Sequence, residues 1–325
     1  MDAAKEVLTD LSPFIKIYTD GTVERLLSTP YVPPSPDDSA AAVSTKDAVI
    51  SSSISARLYL PKLTGAAAAQ KLPIVVYYHG GGFCIGSAFS LLENRYISIL
   101  AAEAAALIVA VEYRLAPEHP LPAAYDDAWD AFNWVCSHAA AGGGSQNKDQ
   151  WICDHGDFSR LFISGESAGA NLAHYIALRA GDGGDPLPGN VKIDGVILSH
   201  PFFLWGSNPE SEKNDFLRFH ERLWETFWPA ADGGLDNPRV SPAGDGAPSL
   251  AGLGCSRILI CSSEKDALRD GAIVYEEGVK RSGWKGKIES VHVDGQDHCF
   301  HLYDPQTDES MKLIAKFASF ISKSK

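Results

Sequence analysis

The sequence predicts an α/β protein: one domain, with a mostly parallel central sheet flanked by helices. Three observations predict it. Apolar runs of strand length alternate with helical patterns along the chain. Several of those runs are apolar on successive residues, which suits strands buried on both faces. One segment, "RLFISGESAGANLAHYIALRA" at 160–180, changes from strand to helix across a serine boxed by glycines.

In chain order, residues 1–45 show no pattern that fits a central sheet. "SARLYLP" (55–61) reads as an antiparallel edge strand. "LPIVVYYHG" (72–80) is the first central strand and "AALIVAVEYRLAP" (105–117) the next, ended by proline. "RLFISG" (160–165), "VKIDGVILSHP" (191–201), "SRILICSSEKD" (256–266) and "KIESVHVDG" (287–295) continue the series. Helical patterns fall at 123–138, 168–180 and 267–282. The final stretch "DESMKLIAKFASFISKSK" puts Met311, Ile314, Phe317, Ala318 and Ile321 on one face of an amphipathic helix. Residues 202–250, which hold Trp205, Trp224 and Trp228, fit the sheet poorly. Loop signals lie at 31–42, 64–70, 139–150 and 181–190, and none separates two complete domains. The expectation is a single domain over 1–325, with 1–45 and 202–250 capping one end of the sheet.

Composition excludes several partner classes. The formal net charge is −13 with no long basic run, which argues against nucleic acid or an anionic membrane. The N-terminus carries Asp2, Lys5, Glu6 and Asp10 and has no apolar leader core. "AAALIVAV" (104–111) is far shorter than the ~20 residues of a membrane span. These features read as a soluble cytoplasmic protein. The six cysteines show no metal-ligand spacing and read as reduced thiols. Cys84 and Cys299 lie beside the motifs below.

Those motifs point to nucleophilic catalysis. G-x-S-x-G between a strand and a helix presents Ser167 on a tight turn, with the helix N-terminus aimed at the same point. "HGGGF" (79–83) ends the preceding central strand. Its glycines let the N–H groups of Gly81 and Gly82 converge, with that of Ala168, on a developing oxyanion. A phosphate loop would need GK[ST] after the glycines, and Phe83 and Cys84 stand there instead. A serine hydroxyl needs a base, and the base needs a carboxylate to orient it. "SEKDALRDG" offers Glu264, Asp266 and Asp270, with Asp266 favoured. "DGQDHCFH" offers His298, favoured, and His301. His79 belongs to the glycine loop. His119, His138, His155, His174 and His220 read as structural or exposed, without a companion.

The set "HGGGF", "YRLAPEHPLPAAYDD", "GESAGANLAH", "EKDALRDG" and "DHCFHLY" resembles the plant carboxylesterases of the hormone-sensitive-lipase group, in the right order over 79–303. The resemblance implies an α/β-hydrolase fold with a cap to which the N-terminal segment contributes. It also implies a Ser167–His298–Asp266 triad and an oxyanion hole of Gly81, Gly82 and Ala168. The activity implied is cofactor-free and metal-free hydrolysis of esters of small apolar or aromatic molecules. Two other activities occur on relatives. Dehydratases or cyclases of specialised metabolism use the same apparatus for elimination, although the isoflavonoid dehydratases replace the serine by threonine. A hormone receptor of this group lacks the catalytic histidine, which is present here. Oligomeric state is not legible.

Overall fold

The computed structural model describes residues 5–36, 41–62, 70–140, 148–184, 186–205 and 214–323. Three short strands come first: β1 (Val7–Leu11), β2 (Ile15–Tyr18) and β3 (Val23–Arg25), an antiparallel sheet of their own. The central sheet has eight strands. They are β4 (Val43–Val49), β5 (Ser55–Pro61), β6 (Leu72–Tyr78), β7 (Leu107–Glu112), β8 (Gly156–Glu166), β9 (Ile193–Ser199), β10 (Cys255–Ser263) and β11 (Lys287–Val293). The spatial order is β4-β5-β7-β6-β8-β9-β10-β11. From β7 to β11 every neighbouring pair is parallel, while β5 runs antiparallel to both β4 and β7.

The helices are α1 (Leu91–Ala104), α2 (Ala123–Ser137), α3 (Gln150–His155), α4 (Ala168–Ala180), α5 (Asp215–Phe227), α6 (Arg269–Ser282), α7 (Phe300–Tyr303) and α8 (Asp308–Ser322). All seven residues of β6 and of β9 are buried; β6 is apolar throughout, and β9 buries Asp194 against Arg257 at 2.8 Å. One face of the sheet packs Tyr125 and Phe132 of α2 with Leu172 and Ile176 of α4. The other packs Ile97 and Leu100 of α1 with Ile314, Phe317 and Ile321 of α8. On α8, Leu313 and Phe320 are buried as well, and Met311 is only half-buried.

Two expectations are corrected. "SARLYLP" is antiparallel but interior, because β4 pairs outside it through Val43↔Pro61 to Val49↔Ser55. β4 reads "VSTKDAV", too polar to announce itself as a strand, yet a sheet margin tolerates that. The expected N-terminal cap segment therefore loses residues 43–45 to the sheet. Residues 1–4 and 37–40 of the first expected cap segment and 206–213 of the second lie outside the described residues, as do 37–40, 64–69, 141–147 and 185 of the expected loops.

The topology places the site. The chain leaves β6, crosses by α1 to β7, then returns by α2 and α3 to β8 on the other side of β6. The strand order reverses between β6 and β8, and the loops leaving their carboxyl ends diverge around a crevice there. HGGGF leaves β6 and Ser167 leaves β8. α4 must approach β6 closely for this. A Cβ on Gly169 would stand 1.9 Å from the Tyr78 carbonyl oxygen, and one on Gly165 2.4 Å from the Gly169 carbonyl carbon. Only hydrogen fits at either position. Gly169→Ala should therefore destabilise the fold by about 3 kcal/mol, read as a lower midpoint in urea unfolding. An unchanged midpoint would mean that α4 can move off β6 freely.

Candidate active site

Ser167 adopts φ +52°, ψ −117°, a conformation that a non-glycine residue holds only under constraint. The constraints are visible. Its N–H donates to the Ser199 carbonyl at 2.9 Å, and its own carbonyl accepts from Phe202 N at 3.0 Å and Asn171 N at 3.1 Å. The turn is thus tied to β9 and to α4. Asn171 extends the tie by donating to the Phe202 and Arg239 carbonyls and accepting from the Tyr125 hydroxyl.

The glycine loop is clamped from below. Tyr113 stacks on His79 with ring centroids 4.3 Å apart and donates its hydroxyl to the His79 carbonyl at 2.8 Å. His79 Nδ1 lies 2.8 Å from the Gly80 carbonyl oxygen. Gly81 has φ +106°, and a Cβ there would meet Ile85 O at 2.1 Å. Without that Cβ the loop closes on itself, Cys84 N and Ile85 N both donating to Gly81 O at 3.0 Å. No described residue accepts a hydrogen bond from the N–H of Gly81, Gly82 or Ala168. The "YRLAP…YDD" stretch braces this region, Arg114 meeting Asp127 at 2.6 Å.

Of the three acids, the structure brings Asp266 to histidine: its Oδ2 lies 2.8 Å from His298 Nδ1. Glu264 instead accepts from Gly295 N at 2.7 Å, and Asp270 pairs with Arg269. Burial alone would lower the His298 pKa, but the Asp266 carboxylate outweighs it and the net shift is upward. Asp266 is held below its ordinary value: burial opposes this, and the charge and hydrogen bond of His298 prevail. His301 is fully buried and burial pushes it down to about 3, so it stays neutral.

Ser167 and His298 face one cavity of about 310 Å³. Gly80, Gly81 and Gly82 form part of its wall. Phe14, Arg25 and Leu27 enter from the N-terminal segment, Leu302 and Tyr303 from α7. Phe14 packs edge-on against Phe219 of α5, with centroids 5.0 Å apart, and Arg222 donates to the Asp10 carbonyl at 2.8 Å. The N-terminal strands and α5 thus meet beside Gly82. The tryptophans do not line the cavity. Trp224 is buried and donates to the Gly234 carbonyl, and Trp228 packs on Tyr125 and Arg239.

Sequence reasoning missed two histidines here. His220, expected to lack a companion, lines the cavity with its ring 6.2 Å from that of His298; its pKa falls to about 4, first by burial. Only the fold of α5 over the site reveals it. His200, not singled out at all, is buried between Ser199, Ser263 and the His301 ring. Cys299 lines the cavity, but burial holds its thiol well above the ordinary range, which suppresses the reactive thiolate.

The family model described as alpha/beta hydrolase fold matches residues 75–302. The chain belongs to the α/β-hydrolase-fold family. Among its α/β-hydrolase relatives, 2-hydroxyisoflavanone dehydratase of Glycyrrhiza echinata is 49% identical, covering 98% of this chain and 97% of that protein. Tuliposide A-converting enzyme b1, amyloplastic, of Tulipa gesneriana is 42% identical over 97% of this chain and 80% of that one. The hyperthermophilic esterase of the archaeon Pyrobaculum calidifontis superposes with a TM-score of 0.66 at 28% identity, covering 83% of this chain and 81% of that one. Among the described residues, no helix is long and apolar enough to cross a membrane.

The electrostatics around His298 predict a titration. His298 should titrate above the ordinary histidine value of 6.5. In Asp266→Asn the raising charge is gone and burial dominates, so the midpoint should fall below 6.5. NMR titration of the His298 ring measures both; equal midpoints would show that Asp266 carries no charge beside it.

Proposed function

We propose that this chain is a serine carboxylesterase that hydrolyses esters of small apolar or aromatic molecules through an acyl-enzyme. The carrying observation is the Asp266–His298 hydrogen bond at 2.8 Å, on an imidazole that faces the same cavity as the strained Ser167. In the proposed reaction His298 Nε2 takes the Ser167 proton as Oγ attacks the ester carbonyl. The vacant N–H groups of Gly81, Gly82 and Ala168 receive the oxyanion. Collapse expels the alkoxide, which takes the proton from His298. Water, deprotonated by the same imidazole, then attacks the acyl-enzyme and returns Ser167. Asp266 holds the Nδ1–H tautomer and stabilises the imidazolium, a contribution of about 10⁴ in kcat in comparable triads. No step requires a cofactor or a metal. The N-terminal strands and α5 act as the cap over the acyl site, and an apolar lining that includes Phe14, Leu27, Ile85 and Leu302 favours an apolar acyl or alcohol group. We place the protein in the cytoplasm, a reading to be tested by fractionation because one relative's name carries the word amyloplastic.

Elimination is the second reading, favoured by the name of the 49% identical dehydratase. There His298 would abstract a carbon-bound proton, and the donors at Gly81, Gly82 and Ala168 would stabilise an enolate.

Two experiments decide. A fluorophosphonate probe should label wild type and not Ser167→Ala; labelling that persists or maps to Cys299 would remove Ser167 as nucleophile. In oxygen-18 water, acyl-enzyme hydrolysis puts solvent oxygen into the released acid. An unlabelled acid with a new double bond in the other product would replace the esterase reading with the lyase one.

A further inference from the structure

Glu93 lies at the third position of α1. The sequence Ser90-Leu91-Leu92-Glu93 has the spacing of a capping box, in which the glutamate carboxylate returns to the cap residue's own N–H. Half of the box forms: Ser90 Oγ accepts from Glu93 N at 3.2 Å. The other half does not, because Ser90 N donates to the Ser87 carbonyl at 3.1 Å. The Glu93 side chain turns instead toward the Tyr77 hydroxyl, 2.6 Å from Oε2, and takes part in the wall of the Ser167 cavity. A carboxyl only 3% exposed has been taken from water without serving its helix.

The Tyr77 hydroxyl also bonds Glu166 Oε2, so one phenol bridges two buried carboxyls. A phenol carries one proton and can donate to only one of them. The other carboxyl must bring a proton and donate it to the phenol oxygen. The surroundings favour that extra proton. Burial raises both carboxyls, and the Glu166 charge raises Glu93 further. Glu112 of β7 adds negative charge to Glu93, Tyr96 of α1 packs beside the group, and His301 stands 3.8 Å from Glu166 Oε1 in its neutral form. Whichever carboxyl holds the proton, Oε2 of Glu93 is committed to Tyr77. Its Oε1 bonds no described residue. In either arrangement that oxygen is an acceptor, and the cavity is where a donor can reach it.

We propose that Glu93 is a specificity-determining residue whose Oε1 accepts a hydrogen bond from a substrate hydroxyl, so that hydroxylated ligands are preferred over otherwise identical ones. That the ligand is an ester rests on the esterase reading; the contact does not. Ser28 and Thr29 line the same cavity and add hydroxyls that suit the same polar group.

The test uses binding, so it survives failure of the esterase reading. On Ser167→Ala protein, calorimetry compares 4-nitrophenyl phenylacetate with its 2-, 3- and 4-hydroxyphenyl counterparts. At least one hydroxylated ester should bind about tenfold more tightly, the effect of one net hydrogen bond. Adding Glu93→Leu should abolish the preference, and Glu93→Gln should keep it through its amide oxygen. No hydroxyl preference in the parent, or one that survives Glu93→Leu, overturns the proposal. Should Glu93→Leu fail to fold, the infrared carboxyl band that Glu93→Gln removes decides. In the parent it should shift with the favoured hydroxylated ester only, and a band unmoved by that ester overturns the proposal. Acid release by wild type from the same four esters tests the esterase reading separately.

Discussion

The contact between Gly169 and the Tyr78 carbonyl is the constraint on which the rest depends. A helix that lies against a strand with no side chain between them can begin almost on top of the strand's end. That proximity makes the turn at Ser167 so sharp, with φ at +52°. It also brings the loop leaving β6 against the loop leaving β8, so that a Cβ on Gly80 would touch Ser167 Cβ at 3.4 Å. Hydroxyl, glycine amides and helix terminus converge because two glycines let the backbones close.

Burial then sorts the ionisable groups around that point. His79, His200, His220 and His301 are all lowered, with burial the first cause in each, and are neutral near pH 7. His298 lies among them yet is raised, because a buried carboxylate faces it. One basic imidazole in a group of silenced ones is a selective arrangement: a proton taken there has no competing nitrogen nearby. The phenol-bridged pair Glu93 and Glu166 extends the same logic to acids. Two carboxyls with one bridging phenol retain a proton that an exposed pair would lose.

The central strands were legible because their middles are apolar on successive residues: β6, β9 and β10 fall within three residues of the expected bounds, while β8 begins four residues before its expected start and β7 ends five residues before its expected end. β4 was not, since "VSTKDAV" borrows its stability from a partner 6 to 18 residues later in the chain rather than from its own apolarity. β1 to β3 escaped for the same reason. At the site, the motifs pointed to Ser167 and favoured Asp266 and His298. It left three acids open, and the distinction came from where each loop points: Glu264 closes onto Gly295, while Asp266 turns inward. His220 was illegible in principle, because its place beside His298 depends on α5 folding back against Phe14, a contact more than 200 residues apart in sequence.

On the proposed reading, the groups around Ser167 do not by themselves choose between hydrolysis and elimination. Amide donors accept an oxyanion or an enolate equally well, and a raised imidazole can take a proton from oxygen or from carbon. The choice falls to the pose, that is, to which substrate atom the walls hold against Oγ and which against Nε2. Those walls come from Phe14, Arg25 and Leu27 of the N-terminal segment, His220 of α5, and Glu93 and Leu92 of α1. All of them lie outside the central sheet, whose strand ends carry the loops of Ser167, Asp266 and His298. Relatives named for a dehydratase and for an esterase can therefore share one fold, because residues lining the cavity are free to vary without disturbing the sheet beneath it.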